Sequence, residues 1–468
     1  MTKRIGGVAV LAATAALVLS GCSTMGAVGD AAGRLNPFKK DEPKEVAGDG
    51  RRISIIAFDQ RVEAAEGLKG ADFYLPAASD VPNWPQPGGA PDLKVDNVAA
   101  APAFEIAWRK GFGKGSSRAY HVTAPPILVD GRIYVMDAES DVAAIDAKTG
   151  SVIWKKSIHS RTKRDKKGFG GGVAWSGGKL YVSSGFRFVA QLDPASGDVG
   201  WRRETSAPIH NAPIVTHNRV FVISTDNELL TYDTATGTPG WTYQALIEPA
   251  RILASSSPAA AGDTVIGAFA SGEVVALRAS NGNDLWNNTL SKASRTSALS
   301  EIRDVAGRPV IYEGDVYAAS HSGVFAATDL RTGQARWSLP VASITSPWPA
   351  GDVVYVVSQA GEVICVSRQS GQVYWIKDLN EGKEAKRGNF FGIGKKEQKG
   401  VRTLYFGPVL ASDRLVVASS DGRAIALNPK TGEVLKTLNV GAPVLIAPIA
   451  AGGMIYIVTD DGGLVAIR

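Results

Sequence analysis

The sequence has little cysteine: Cys22 and Cys365 are the only two in 468 residues. Cys22 ends a segment typical of export signals and is expected to carry lipid, so Cys365 has no partner for a disulfide within the chain. The fold must therefore be stable without a disulfide, although an exported protein would be free to form one. Cys365 lies in an apolar run and is predicted to be a small buried hydrophobic residue on a strand.

Catalytic and metal-binding patterns are also missing. There is no G-x-S-x-G, P-loop or H-E-x-x-H pattern, and acidic residues such as Asp137, Asp141 and Glu273 are not spaced as ligands of a hard ion. The five histidines are dispersed along the chain, as His121, His159, His210, His217 and His321. We therefore expect no catalytic residue, no metal and no cofactor.

A strong excess of one charge is absent too. The chain has 51 Lys and Arg against 45 Asp and Glu, a net charge of +6, which is too mild to indicate a nucleic-acid partner. Two stretches, residues 161–167 and 383–399, are locally basic. They are either solvated insertions or contacts for an acidic partner or lipid phosphates, and Phe390 and Phe391 would serve the second stretch as apolar anchors.

The only long apolar run near the start is too short to span a membrane. It extends from Ile5 to Leu19, about 15 residues against the ~20 that a spanning helix needs. It follows Lys3 and Arg4 and ends in Leu19-Ser20-Gly21-Cys22, which resembles the lipobox of bacterial lipoproteins, where the cysteine is acylated and becomes the first mature residue. A cleaved signal with an incidental cysteine is the alternative.

The lipobox resemblance implies an address. The mature cysteine of such lipoproteins carries three acyl chains, palmitate among them, and several chains anchor a protein far more firmly than one. Ser23 stands where an Asp would resemble an inner-membrane retention signal. The resemblance therefore implies a chain anchored through Cys22 to the periplasmic face of the outer membrane.

What the sequence does have is a repeat. An apolar run, a short turn and a second apolar run occur eight times, and the ends of successive copies are 38 to 61 residues apart. The runs are rich in Val, Ile and Tyr and often apolar at consecutive positions, which is typical of strands covered on both faces. Such units hold about four short strands, so we predict an all-β, eight-bladed β-propeller with four-stranded antiparallel blades. The copies end at Asp146, Asp193, Asp233, Arg278, Asp329, Ser367, Asn428 and Arg468.

A glycine turn follows seven of the copies, and in six of them a Trp stands four residues after the glycine. In the turn from Asp146 to Gly150, the Asp side chain can cap backbone N–H groups and the glycine can adopt a positive φ. Six equivalent rings suit packing between neighbouring blades, whereas a cofactor site would need one or two special positions. The predicted blade-packing residues are Trp154, Trp201, Trp241, Trp286, Trp337 and Trp375, with Trp108 added by closure of the ring.

The eighth copy ends at Arg468 without a fourth strand. Residues 104–108 have the same character of a strand with a Trp, so we predict that they complete this blade and close the ring, which removes exposed sheet edges. The predicted organisation is a signal peptide at 1–21, a flexible tether at 22–50, an N-terminal extension at 51–100 and the propeller at 101–468. The extension contains a predicted strand at residues 52–56 and a proline-rich run, and is expected to lie against the propeller.

Together these features resemble the pyrroloquinoline quinone (PQQ) type propellers and, among them, the BamB family of outer-membrane lipoproteins. Quinoprotein dehydrogenases share the A-x-D-x-x-T-G-x-x-x-W pattern of residues 144–154, so the lipobox beside a complete propeller is what favours BamB. The resemblance implies a non-enzymatic scaffold of the β-barrel assembly machine (the BAM complex). Such a scaffold binds a periplasmic POTRA domain of BamA and assists folding and insertion of outer-membrane proteins, whose unfolded chains could also contact it directly.

The resemblance also implies where the partner binds. The contact loops of the family correspond to residues 248–258 and 300–309, in which Asp304 matches an acidic contact position and Ala306 stands where many relatives have a second Asp. Apolar residues beside charges could anchor an edge strand of a partner; the alternative is that they cap the core. The predicted BamA contacts are Arg251, Ile252, Leu253, Arg303 and Asp304.

Two other functions stay open on the sequence alone. One is a periplasmic PQQ-dependent oxidoreductase, and the other is a lipoprotein that binds glycan or other envelope components. The resemblance implies that a quinoprotein dehydrogenase would need Ca²⁺ with several oxygen ligands and a general base. Many such enzymes also have a disulfide of adjacent cysteines at the cofactor, and this sequence has no such pair.

Overall fold

The computed structural model describes residues 62–90, 96–158, 168–248, 256–291, 302–382 and 402–468, all within the compact unit Asp59–Arg468. The predicted signal, Cys22, the tether and the predicted strand at 52–56 lie outside the described residues, as do both basic stretches. In the part of the chain that is described, no helix is long and apolar enough to cross a membrane.

The described strands form eight antiparallel sheets of four strands each, so the predicted eight-bladed β-propeller is confirmed. Ring closure occurs as predicted: β1 (Ile106–Gly111) pairs with the last strand of the chain, with Trp108 opposite Ala466. The closing strand begins two residues later than the sequence suggested, although Glu105 and Arg468 still exchange two backbone hydrogen bonds.

The strand bounds follow the predicted repeat. Blades 1 to 4 consist of β2 (Ile127–Val129), β3 (Arg132–Met136), β4 (Asp141–Asp146) and β5 (Val152–Ser157); β6 (Gly171–Ser176), β7 (Lys179–Ser184), β8 (Phe188–Leu192) and β9 (Val199–Glu204); β10 (Ile214–Thr216), β11 (Arg219–Ile223), β12 (Glu228–Asp233) and β13 (Pro239–Gln244); and β14 (Ala259–Ala261), β15 (Thr264–Ala268), β16 (Glu273–Arg278) and β17 (Asp284–Thr289).

Blades 5 to 8 repeat the arrangement. They consist of β18 (Val310–Tyr312), β19 (Asp315–Ala319), β20 (Phe325–Asp329) and β21 (Ala335–Leu339); β22 (Trp348–Ala350), β23 (Val353–Val357), β24 (Glu362–Ser367) and β25 (Val373–Asp378); β26 (Tyr405–Ala411), β27 (Arg414–Ser419), β28 (Arg423–Leu427) and β29 (Val434–Asn439); and β30 (Ile449–Ala451), β31 (Met454–Thr459) and β32 (Gly463–Ile467) with β1. A short 3₁₀ helix, Glu66–Leu68, precedes the blades.

Burial falls from the inner strands to the outer ones. The second and third strands are buried at nearly every position, because each blade lies between two others, whereas the fourth strands are largely exposed. Cys365 lies on the third strand of blade 6 and is fully buried, as the sequence predicted. Burial raises the pKa of its thiol well above the ordinary value, so Cys365 acts in packing.

The up-and-down order of the strands defines two faces. The lower face carries the turns between first and second strands and between third and fourth strands. The upper face carries the turns between second and third strands and the connections from one blade to the next. The four stretches beyond residue 101 that are not described, 159–167, 249–255, 292–301 and 383–401, all belong to connections between blades.

The N-terminal segment, residues 62–90 and 96–100, crosses the lower face. Its backbone or side chains bond to the turns between first and second strands in four successive blades, at Asp352, Ser412, Gly452 and Asp130. Phe73 packs on Tyr374, and Val98 bridges to Ala411. The segment therefore adds a second layer across blades 6, 7, 8 and 1.

The same segment closes the axis of the propeller at the lower end. The backbone of Trp84 exchanges hydrogen bonds of 2.6 and 2.9 Å with Leu128 on β2, and its buried ring stacks on Trp348 of β22 at 6.2 Å. The side-chain amide of Gln86 pairs with the backbone of Val215 on β10. We call residues 84–88 the axial plug, since they reach first strands from several blades.

Candidate functional site

The predicted blade-packing Trp residues lie in the seams between blades, and each ring packs on the turn glycine of the following blade. A Cβ added to Gly197 would come within 2.8 Å of the Trp154 ring. The indole Nε1 of Trp154 donates to the carbonyl of Pro194 at 3.0 Å. The same two contacts recur at Trp201, Trp241, Trp286, Trp337 and Trp375.

Ring closure brings Trp108 into the same series, against Gly150 of blade 1. Its Nε1 is the exception, since among the described residues it has no hydrogen-bond acceptor. The turn glycines all have positive φ, between +68° at Gly237 and +79° at Gly282. In the first of these turns, Asp146 Oδ1 accepts hydrogen bonds from the N–H groups of Lys148 and Thr149. This geometry holds blades together and presents no reactive group.

The residues predicted to bind a partner differ in their positions: three lie outside the described residues, one is exposed and one is buried. Arg251, Ile252 and Leu253 lie outside the described residues, so their role stays a prediction. Arg303 is exposed on the upper face, with its guanidinium 4.0 Å from Glu248 Oε1.

Asp304 does not fit the predicted contact role. Its residue surface is only 3% exposed, so the side chain offers almost nothing to a partner. Its carbonyl accepts a hydrogen bond from His321 N–H at 2.8 Å, which ties the connection between blades 4 and 5 to the next upper turn. Asp304 therefore supports the loop from inside, and Arg303 is the residue of this pair that faces outward.

Two residues that the sequence analysis did not select are the most exposed large hydrophobic residues of the described chain. Leu246 is 68% exposed and Ile247 is 73% exposed. They follow β13 on the upper face of blade 3, directly before Glu248. The sequence signal that could have identified them is the stretch Ala-Leu-Ile-Glu directly after a fourth strand. A fourth strand is the outermost strand of its blade, so an apolar pair at its end is not covered by a neighbouring blade.

Buried polar groups hold this exposed pair in place. The N–H of Leu246 donates to Glu273 Oε2 at 2.8 Å, and the Leu246 carbonyl accepts from the side-chain amide of Asn227 at 2.6 Å. Ala245, just before the pair, is buried in the core between blades 3 and 4. The backbone is thus bonded on both sides while the two side chains project into water.

Glu273 at the start of β16 is the centre of this support. Burial raises the pKa of its carboxyl, but hydrogen bonds from Ser271, Asn287 and the Leu246 N–H outweigh burial, so the pKa is lowered overall. Ser271 Oγ lies 2.7 Å from Oε2 and Asn287 Nδ2 lies 3.1 Å from Oε1. An ionised Glu273 therefore links blade 4 to the end of blade 3.

We call Leu246, Ile247, Glu248 and Arg303 the upper patch. It combines two exposed aliphatic side chains with an ion pair between the exposed Arg303 and the half-buried Glu248, the composition of a small protein-binding surface. The surrounding blades are acidic: residues 205–248 and 256–291 contain seven Asp and Glu against two Lys and Arg.

The axial channel above the plug is a second candidate site. Its cavity of about 240 Å³ is lined by Trp84, by residues that precede or begin the first strands, such as His210, Thr345 and Trp348, and by Arg308. Arg308 is buried and already donates to the carbonyls of Pro258 and Ala90.

This channel does not fit a quinone held with Ca²⁺. No Asp or Glu is among the described residues that line it, and Ca²⁺ in proteins takes several oxygen ligands, typically carboxylates. Across the described residues, no group of three His, Cys, Asp or Glu could hold a metal ion.

Two protein-family models, both of propeller proteins with PQQ-type repeats, match this chain. The family model described as outer membrane protein assembly factor BamB matches residues 138–377 and 384–468. A second family model, the β-propeller domain of glucose, ethanol and alcohol dehydrogenases, matches residues 92–177.

Individual relatives have low sequence identity to this chain, but the similarity extends over most of both chains. Outer membrane protein assembly factor BamB of Escherichia coli is 26% identical over 367 residues, covering 77% of this chain and 88% of that protein. The crystal structure of BamB from Moraxella catarrhalis has a TM-score of 0.61 at 19% identity, covering 77% of this chain and 99% of that one. A quinohemoprotein alcohol dehydrogenase from Comamonas testosteroni also has a TM-score of 0.61, at 15% identity, covering 83% of this chain and 81% of that one. At such identities the structures show a common fold only.

Proposed function

The chain belongs to the family of outer membrane protein assembly factor BamB, and we propose that it is a non-enzymatic scaffold lipoprotein of the β-barrel assembly machine. In this proposal the upper patch binds a POTRA domain of BamA, and an acylated Cys22 anchors the chain to the periplasmic face of the outer membrane. The observation that carries the binding site is the exposed Leu246-Ile247 pair held by Glu273.

The energetics of the pair support a docking role. Burying a large aliphatic side chain is worth about 1.5–3 kcal/mol, so two of them left in water are a substantial reserve for association. Their backbone is already ordered by Glu273 and Asn227, so docking costs little additional entropy. The outer edge of β13, which pairs with no further strand among the described residues, can also accept a strand from a partner.

The absence of carboxylates around the described channel supports the non-enzymatic part of the proposal over a PQQ-dependent oxidoreductase. The similarity to dehydrogenase structures concerns the fold, since the shared Gly and Trp positions are packing contacts between blades. No feature of the described surface favours a glycan ligand over a protein partner.

The patch is tested by binding to the isolated POTRA domains of BamA. Replacing Leu246 and Ile247 together by Ser should weaken binding about tenfold or more, because the aliphatic area is no longer buried. The matched control replaces Val434 and Leu435 by Ser, an equally apolar pair exposed on blade 7. Equal loss in both variants, or loss in neither, would place the contact elsewhere.

The anchor is tested separately. The wild-type chain expressed in a Gram-negative host should incorporate radiolabelled palmitate and sediment with outer membranes, and a Cys22→Ser chain should do neither. Labelling that persists in Cys22→Ser would remove the proposed lipidation site.

A further inference from the structure

We propose that the outer rim of blades 7, 8, 1 and 2 lies against an anionic lipid surface. This contact is distinct from the upper patch, which lies on blades 3 and 4, and it does not depend on the proposed partner. It rests on a band of basic residues and a band of exposed aliphatic residues that run side by side on the fourth strands.

The basic band comes from a pattern that only part of the repeat carries. In blades 8, 1 and 2 the seam Trp is followed by Arg-Lys, Lys-Lys and Arg-Arg, whereas in blades 3 and 4 it is followed by Thr-Tyr and Asn-Asn. The six basic residues lie on neighbouring outermost strands, as Arg109, Lys110, Lys155, Lys156, Arg202 and Arg203.

Contacts across the seams make the band continuous. The stem of Lys110 lies over Gly150 of blade 1, and the stem of Lys156 lies over Gly197 of blade 2. Arg203 donates to the carbonyls of Thr236 and Gly237 in blade 3. Each second residue after the Trp therefore bridges to the following blade.

Acidic neighbours neutralise only part of this charge. Lys155 pairs with Asp137 at 2.9 Å, Lys156 with Asp198 at 2.8 Å, and Arg202 with Glu204. Residues 101–158 and 168–204 still hold twelve Lys and Arg against nine Asp and Glu, the reverse of the acidic balance in blades 3 and 4. The described part of blades 1 and 2 is therefore more basic than that of blades 3 and 4.

The aliphatic band lies at the lower ends of the outermost strands of blades 7, 1 and 2, and two of these strands, β5 and β9, also carry the basic band. Five residues that precede the Trp position are each between 46% and 52% exposed, namely Val152, Ile153, Val199, Val434 and Leu435. Val434 and Leu435 stand before Lys436, which replaces the Trp in blade 7.

This pairing of bands favours a lipid surface over a soluble polyanion. At a membrane interface, Lys and Arg attract phosphate headgroups while neighbouring aliphatic side chains enter the headgroup region. A soluble polyanion would use the basic band alone and leave the aliphatic band in water.

The test uses the chain from residue 23 onward, which contains every described residue and carries no acyl group. It should co-sediment with vesicles of phosphatidylcholine mixed with phosphatidylglycerol, weakly or not at all with phosphatidylcholine alone, and less as salt is added. Equal sedimentation with both kinds of vesicle would overturn the proposal.

Charge-reversed variants locate the contact. The first variant combines Lys156→Glu in the basic band with Lys148→Glu in the exposed turn that leads into β5 of the same blade. It should weaken binding to anionic vesicles at least about tenfold, because two attractive charges near the lipid phosphates become repulsive. The matched control is Arg331→Glu with Lys377→Glu, which reverses the same turn and strand positions on blades 5 and 6, where Lys377 is also ion-paired. Comparable losses in both double variants would show that net charge, not this rim, determines binding.

The aliphatic band gives the second readout. Ile153→Ser with Leu435→Ser should reduce vesicle binding several-fold at constant charge, whereas Leu285→Ser, at the equivalent position of blade 4, should not. If the Ile153 and Leu435 variant binds anionic vesicles as the wild type does, and soluble polyphosphate competes fully, the ligand is a polyanion and the lipid proposal fails. Thermal unfolding of each variant checks that the fold is retained.

Discussion

The lower and upper faces of this propeller are built from one repeat but differ in what covers them. On the lower face, the N-terminal segment of the same chain crosses four blades, and Trp84 closes the axis. On the upper face, Leu246 and Ile247 remain in water. One face is therefore covered by a segment of the same chain, whereas the other exposes an aliphatic pair to solvent.

The difference teaches how non-repeated residues specialise a symmetric scaffold. At the axial plug, the ring of Trp84 is buried, and the backbone N–H and C=O of Trp84 form hydrogen bonds with Leu128. At the upper patch the arrangement is reversed, since a buried carboxylate and a buried amide hold apolar side chains outward. The plug should govern stability and the patch should govern binding, and the following changes test that division from the largest expected effect to the smallest.

Trp84→Ala should lower the free energy of unfolding by about 3–5 kcal/mol, the usual cost of truncating a fully buried aromatic residue. Chemical denaturation measures this loss, and binding at the upper patch should be unchanged under conditions where the variant is folded. Trp84→Phe should cost much less, because the indole N–H of Trp84 has no acceptor among the described residues. A Trp84→Ala chain of normal stability would mean that the lower face is not held by the plug.

Gly197→Ala should cost about 2–4 kcal/mol, since the glycine has φ of +74° and a Cβ there would meet the Trp154 ring. Gly131→Ala is the matched control, because Gly131 has φ of +72° and no described atom within 4 Å of an added Cβ. It should show only the backbone cost of about 1 kcal/mol. If thermal unfolding finds the same loss of stability in both variants, the contact between Gly197 and the Trp154 ring contributes nothing to stability.

Glu273→Gln should lower stability by about 1–2 kcal/mol, because an amide has one acceptor oxygen where the carboxylate accepts three hydrogen bonds. Unlike the plug variant, it should also weaken binding of BamA POTRA domains several-fold, as the Leu246 backbone loses its support. Glu228→Gln at the equivalent position of blade 3 is the control for charge. Unchanged binding in Glu273→Gln would show that binding at the upper patch does not depend on the hydrogen bonds of Glu273.

Acid should act on the patch through the same carboxyl. The pKa of Glu273 is lower in the folded chain than its ordinary value, so its stabilisation is fully present above the unfolded pKa and is lost as the pH falls through the folded pKa. Between about pH 5 and pH 3, wild type should therefore lose slightly more stability than Glu273→Gln. Parallel unfolding curves across that range would contradict an ionised Glu273 at this site.

The repeat architecture was predictable because each blade carries its own local signals. Glycines such as Gly150 and Gly197 mark the turns, the Trp four residues later marks the fourth strand, and consecutive apolar residues indicate strands covered on both sides. Even ring closure could be inferred, since a blade that ends at Arg468 lacks one strand and residues 104–108 have the missing pattern.

The candidate site was less predictable. The sequence pointed to the connections after blades 3 and 4, beside which the upper patch lies, but it selected Asp304, which the structure buries, and passed over Leu246 and Ile247. An acidic residue in a connecting loop is usually exposed, and nothing near position 304 in the sequence signals the enclosing contacts. The support of Leu246 comes from Glu273, 27 residues away on another blade.

The sequence by itself determined the number of blades, their strand order and the Trp seams, because these depend on turns and hydrophobic patterns within some forty residues. Only the tertiary structure decided which face is closed and which side chains stay outside. Those outcomes depend on contacts such as Gln86 with Val215 and Trp84 with Trp348, which join residues 129 and more than 250 positions apart. Such contacts form only when the closed ring brings the first strands together around one axis, and no local pattern in the chain records them.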